Sequence, residues 1–199
     1  VPGSPAEAAP TPTLAEANVI SIFSDAYTNI DGVNLNPAWG QSTVVTEMAI
    51  EGNNTLLYTG LNYQGTEFIA QDVSGMTYLH IDYWTDNSTA LNFFVISQTP
   101  TIDSDYHTFA IVSEQWVSVD IPLTTFPNVD LTDVFQFKVE GNGTIYWDNF
   151  YFYSNPGGMI DYQTDWNLVG LPLEVEDSNY LTIFPESTEG TLYSYNGEQ

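Results

Sequence analysis

Between residues 19 and 153 the chain is a series of short apolar or alternating runs, interrupted by Asn, Gly, Asp and Pro. Runs at 19–23, 43–50, 54–58, 66–69, 78–84, 91–97, 107–112, 116–121, 134–140 and 144–153 read as strands. Their separators are turn formers: Gly52-Asn53, Asn87-Ser88 and Gly141-Asn142-Gly143. No segment carries a sustained period of about 3.6 residues, and a single helical turn at 131–135 is the most that is expected. Many short strands with regular turn signals predict an all-β, antiparallel β-sandwich.

The pattern changes at both ends. Residues 1–17, with Pro2, Pro5, Pro10 and Pro12 among Ala, Ser and Thr, read as a Pro-rich linker of polyproline character. The sandwich is expected over 18–154. Ser154-Asn155-Pro156-Gly157-Gly158 is the next strong breaker, which makes 155–159 a second linker. Within 160–199, residues 166–173 and 191–195 are again strand-like, and this stretch reads as the start of a truncated β-rich domain. About 40 residues without a disulfide make a marginal independent fold.

Composition narrows the partners. Of 199 residues 26 are acidic and one, Lys138, is basic, for a formal charge of −25; aromatics make up 15%. That aromatic content separates the chain from acidic disordered sequences, which cannot bury enough surface to fold. Nucleic acid is disfavoured because phosphate contact needs Lys and Arg. Anionic membranes and charged glycans are disfavoured by repulsion. An uncharged partner or a cation remains. There is no cysteine, so disulfide and thiolate-metal chemistry are excluded, and no apolar run reaches membrane-spanning length. Scarce Lys and Arg with abundant Asp suit a saline, secreted or cell-surface setting, where salt screens self-repulsion. Asn-x-Thr sequons begin at Asn53, Asn87 and Asn142.

Alternation assigns faces. In 78–84, Leu79, Ile81 and Tyr83 share one side and His80, Asp82 and Trp84 the other. In 134–140, Phe135, Phe137 and Val139 oppose Gln136, Lys138 and Glu140. With the apolar sets inward, and if both strands belong to one sheet, its outer face gathers His80, Asp82, Trp84, Gln136 and Lys138. An aromatic plane beside amides and carboxylates is how sugar rings are held, stacking on the C–H face and fixing the hydroxyls. An ordinary solvated sheet face, with Lys138 paired to Asp82 or Glu140, is the plain alternative. Trp39 and Gln41 form a second candidate, a loop lip within Asn36-Pro37-Ala38-Trp39-Gly40-Gln41. Tyr63 and Tyr106 are further loop candidates, whereas Trp116 and Trp147 read as packing residues.

Catalytic signatures are lacking. His80 and His107 lie on separate strands, and there is no HExxH, GxSxG or Gly-rich phosphate loop. Acid pairs capable of glycoside hydrolysis carry no signal among 26 carboxylates. Oxygen ligands point to Ca²⁺: Asp25 follows the first strand and Asp148 lies in the last, and such strands often neighbour each other.

Several segments together resemble the galactose-binding-like β-jelly-roll carbohydrate-binding modules of secreted polysaccharide-degrading enzymes from marine Bacteroidetes. They are Val19-Ile-Ser-Ile-Phe-Ser-Asp25, Leu79-His-Ile-Asp-Tyr-Trp84, Trp116-Val-Ser-Val-Asp-Ile-Pro-Leu123 and Ile145-Tyr-Trp-Asp-Asn-Phe150. The resemblance implies a jelly roll over about 18–153. It also implies a structural Ca²⁺ at Asp148 and, more loosely, Asp25. For sugar it implies either a concave-face site (His80, Asp82, Trp84, Gln136, Lys138) or a loop site (Trp39, Gln41).

The sequence thus leads to an expected function, a non-catalytic module that holds a larger secreted protein, with its tethered catalytic or surface domains, on a neutral polysaccharide such as the β-glucan laminarin. The rival expectation is a structural or adhesive unit of a long surface protein that binds no sugar.

Overall fold

A computed structural model describes residues 3–101 and 103–154. The expectations of a linker at 155–159 and a β-rich domain at 160–199 lie outside the described residues.

Ten strands form where the runs predict them: β1 Val19–Phe23, β2 Val44–Ile50, β3 Asn53–Thr59, β4 Tyr63–Gln71, β5 Tyr78–Trp84, β6 Leu91–Ser97, β7 Tyr106–Thr108, β8 Val117–Pro122, β9 Val134–Gly141 and β10 Ile145–Tyr153. The expected strand at 107–112 shortens to three residues. The expected turn at 131–135 is not a helix: Thr132 Oγ1 and its N–H both donate to Asp130 Oδ1, a local turn that delivers the chain into β9. The described helices are two short 3-10 turns, Glu16–Asn18 and Leu123–Thr125, neither of membrane-spanning length.

The strands make two antiparallel sheets, one of six strands (β2-β3-β10-β5-β8, with β1 on β10) and one of four (β4-β9-β6-β7). This is the all-β antiparallel sandwich the turn spacing calls for. Between the sheets lies an aromatic core in which Tyr58, Tyr83, Phe93, Phe137, Trp147, Phe150 and Phe152 are essentially inaccessible. Tilted and edge-to-face contacts, such as Phe93–Trp147 at 6.3 Å and Trp147–Phe150 at 5.7 Å, knit both sheets through Trp147.

Trp147 and Phe150 face the same core although strict alternation would oppose them. A bulge between Asp148 and Tyr151 on the β5 side supplies the extra residue, with Asn149 at φ 56°. It keeps Phe150 and Phe152 inward and turns Asp148, Tyr151 and Tyr153 outward.

The Pro-rich leader is not a free linker. Residues 3–14 lie across the outer face of the six-stranded sheet, with Pro5 and Ala9 buried. The Pro10 carbonyl accepts from Asn149 Nδ2 at 3.0 Å and the Glu7 carbonyl from Trp116 Nε1 at 2.9 Å. This explains why every residue of β10 is buried: the core covers one side and the leader the other.

Candidate functional site

The structure separates the residues expected on one face. β5 belongs to the six-stranded sheet and β9 to the four-stranded sheet. His80, Asp82 and Trp84 therefore lie on the opposite outer surface from Gln136 and Lys138, because the local period fixes a side chain's side of its strand and not the sheet the strand joins.

The first group is also covered. Trp84 is 6% exposed, in edge-to-face contact with Tyr146 at 5.4 Å. It belongs to a small apolar cluster with Ile50, packed against Met48, Leu57 and Trp116. His80 stacks on Tyr151, with ring centroids 4.6 Å apart, and its Nδ1 and Nε2 lie 2.7 Å and 3.4 Å from Asp120 and Asp82. Burial alone would lower the His80 pKa, but the two carboxylates outweigh it and raise it to about 9. Asp82 is fully buried and accepts from Asn149 Nδ2 at 2.6 Å. These are groups engaged with one another, and none of the three offers the open indole and free polar groups expected of a sugar platform.

The second group meets the loop candidates. β4 and β9 pair with Gly65 opposite Lys138 and Glu67 opposite Gln136. The Trp39 indole lies along β4. Its benzo end rests directly on Gly65, where a Cβ would come within 2.6 Å of Cζ2, and its Nε1 donates to Glu67 Oε1 at 2.8 Å. Gln136 Nε2 donates to the same oxygen at 3.1 Å. Trp39, Gln136 and Lys138 thus share one surface, the outer face of the four-stranded sheet.

The loop is fastened to that sheet by paired amides. Asn34 and Glu67 exchange backbone hydrogen bonds of 2.7 and 2.9 Å. Gln41 accepts from the Trp39 N–H at 2.9 Å and donates from Nε2 to the Pro37 carbonyl at 2.7 Å and Gln64 Oε1 at 3.1 Å. Tyr63 Oη donates to the Trp39 carbonyl at 2.9 Å. Gln41 therefore positions the loop. A half-buried Trp held by this many local bonds is preorganised, so its ordering is complete before any ligand arrives.

Beyond Trp39 the row continues across the strands. Lys138 Nζ lies 4.0 Å above the Phe94 ring, and Phe94 packs on Tyr106 at 5.1 Å, with Tyr106 half exposed. Glu140 and Asp103 hold the ammonium at 3.1 and 3.6 Å. Of the two partners named in the plain alternative, Lys138 pairs with Glu140, while Asp82 lies on the other sheet. Glu67, Phe94 and Asp103 were missed by the sequence reading. A glycine inside an otherwise ordinary strand, Gly65, was the available signal, since such glycines mark a close approach.

Asp25 and Asp148 both reach the start of β3. Asp25 accepts from the Asn54 N–H at 2.7 Å and from Asn54 Nδ2 at 2.9 Å. Asp148 accepts from the Asn149 N–H at 2.7 Å and from Asn53 Nδ2. β1 and β10 pair, as the metal reading requires. Burial, reinforced by the charges of Asp82 and Asp25, pushes the Asp148 pKa up to about 7. Carboxylate and amide oxygens suit Ca²⁺, but among the described residues no three His, Cys, Asp or Glu side chains converge as a metal-binding group.

No family model matches the chain, and no curated protein matches it. Among solved structures, it is similar to a family 11 carbohydrate-binding module from Clostridium thermocellum in complex with a β-1,3-1,4-mixed-linked tetrasaccharide, at 15% identity and a TM-score of 0.48, over 69% of this chain and 96% of that one. A carbohydrate-binding module specific for non-crystalline cellulose, CBM28, aligns at 15% identity and a TM-score of 0.45, over 62% and 89%. An exo-β-agarase aligns at 14% identity and a TM-score of 0.48, over 69% of this chain and 25% of its own.

Proposed function

We propose that the chain is a non-catalytic carbohydrate-binding module whose site is the outer face of the four-stranded sheet. The observation that carries this reading is the Trp39 indole, seated on Gly65 and held by Glu67 beside Gln136. An aromatic ring with amide and carboxylate groups at its edge offers stacking to a pyranose face and hydrogen bonds to its hydroxyls. The formal charge of −25 favours a neutral polymer, and a β-glucan such as laminarin is the ligand proposed. In a larger secreted protein, a weak site of this kind would act by raising the local concentration of glycan for tethered partners.

Titration calorimetry against laminarin, cellulose, xylan, mannan and alginate tests the proposal. Saturable binding to a neutral glycan and none to alginate is expected. Absence of binding to every neutral glycan would overturn the reading in favour of the structural or adhesive unit.

A structural Ca²⁺ at Asp25 and Asp148 is proposed alongside. Its support is that two carboxylates meet the start of β3 at Asn53 and Asn54, whose side-chain oxygens would join the ligand set if the amides rotated by half a turn.

A further inference from the structure

The outer face of the six-stranded sheet has an occupant that the sugar reading leaves unexplained. Trp84 and Tyr146 with Ile50, flanked by Met48, Leu57 and Trp116, form an apolar cluster separate from the main core. Residues 3–14 run over this face with no strand pairing of their own. Gly3 approaches the Trp84 ring and donates its N–H to the Asp86 carboxylate. Three side-chain donors of the domain, Trp116 Nε1, Asn149 Nδ2 and Tyr27 Oη, reach the carbonyls of Glu7, Pro10 and Leu14 at 2.9, 3.0 and 3.3 Å.

That pattern is peptide recognition and not sheet extension. An extended Pro-rich segment keeps its carbonyls free of internal hydrogen bonds and loses little entropy on ordering. Grooves that take such segments pair aromatic walls with side-chain donors aimed at those carbonyls. Along the second half of the segment runs an open groove of about 260 Å³, lined by Pro10–Leu14 together with His80, Asp82, Asp120 and Tyr151.

We propose that this face is a binding groove for extended proline-rich peptides, occupied in this chain by its own residues 3–14 and able to take the same segment from solution. It lies on the other sheet from the proposed sugar site and stands independently of it.

The experiment uses the full chain with a protease site inserted after Ala15, which is exposed and extended. The folded protein is cut, freed of the released segment by dilution and gel filtration, and titrated with a fluorescent synthetic peptide of residues 3–14. Native near-UV circular dichroism after cutting and saturable uptake of the peptide are expected. Trp116→Phe, which keeps an aromatic ring and removes the indole N–H donor, should weaken uptake about fivefold. A peptide carrying Pro5→Ala, Pro10→Ala and Pro12→Ala should bind more weakly still. Failure of uptake overturns the proposal, whether because the cut chain unfolds or because the segment never leaves. Equal affinity for the alanine peptide overturns the proline-rich class.

Discussion

Trp39 Nε1 and Gln136 Nε2 share a single acceptor, Glu67 Oε1, at 2.8 and 3.1 Å. A loop, β4 and β9 are thereby fixed together on one face, and the aromatic plane is tied to an amide beside it. Trp39→Ala is expected to weaken glucan binding about thirtyfold, the loss typical of a central aromatic anchor. Gly65→Ala should weaken it too, because the new methyl displaces the indole. Calorimetry with thermal melts would check both. Unchanged affinity in Trp39→Ala would remove this face as the site.

Trp84 has the opposite expectation. Buried beneath the leader against Tyr146, it should act on stability and not on glycan affinity. Trp84→Ala is expected to cost about 3–5 kcal/mol, read by denaturant unfolding, and to leave the affinity of the folded fraction unchanged. A selective loss of sugar binding with normal stability would return the site to the six-stranded sheet.

Calcium binding makes a thermal prediction. Ca²⁺ at about a hundred times Kd, which fills about 99% of the sites, adds about 2.7 kcal/mol and raises Tm by about 5–10 °C over the protein in chelator. Asp148→Asn should abolish the rise. A Tm indifferent to chelator would sink the site.

The His80 cluster predicts a pH dependence. Against an ordinary value of 6.5, the pKa is raised to about 9 by Asp120 and Asp82, which overcome the lowering effect of burial. The folded state therefore binds the proton more tightly than the unfolded state. The resulting stabilisation is complete below about pH 6.5 and is lost as pH rises through about 9. Melting temperatures between pH 6 and pH 10 should fall, and His80→Gln should flatten that fall. A profile unaltered by the substitution would mean the ion pairs contribute nothing.

Ten strands were legible from alternation because side-chain period is a local property. Sheet membership was not. β5 and β9 show the same inward–outward code, yet their outward residues face opposite sides of the molecule. The bulge at Asn149 was equally hidden, since one extra residue reverses every later side chain. The Pro-rich leader looked like a linker because its contacts, carbonyls on side-chain donors and small apolar groups on indoles, leave no periodic trace. From sequence, the loop pair Trp39 and Gln41 and the strand pair Gln136 and Lys138 are alternative sites. Pairing of β4 with β9 makes them neighbours.

Lys138, the only Lys or Arg in the chain, stands mid-strand in β9 with β4 and β6 hydrogen-bonded on either side. Trypsin, which cuts after Lys and Arg, thus has one bond to attack in 199 residues, and that bond is locked inside a sheet. Cleavage requires the sandwich to open, so a single tryptic cut, appearing as two fragments on a gel, is a built-in clock for unfolding. The same scarcity of cations that disfavours anionic partners leaves the native protein nearly invisible to a protease that digests most proteins at many sites.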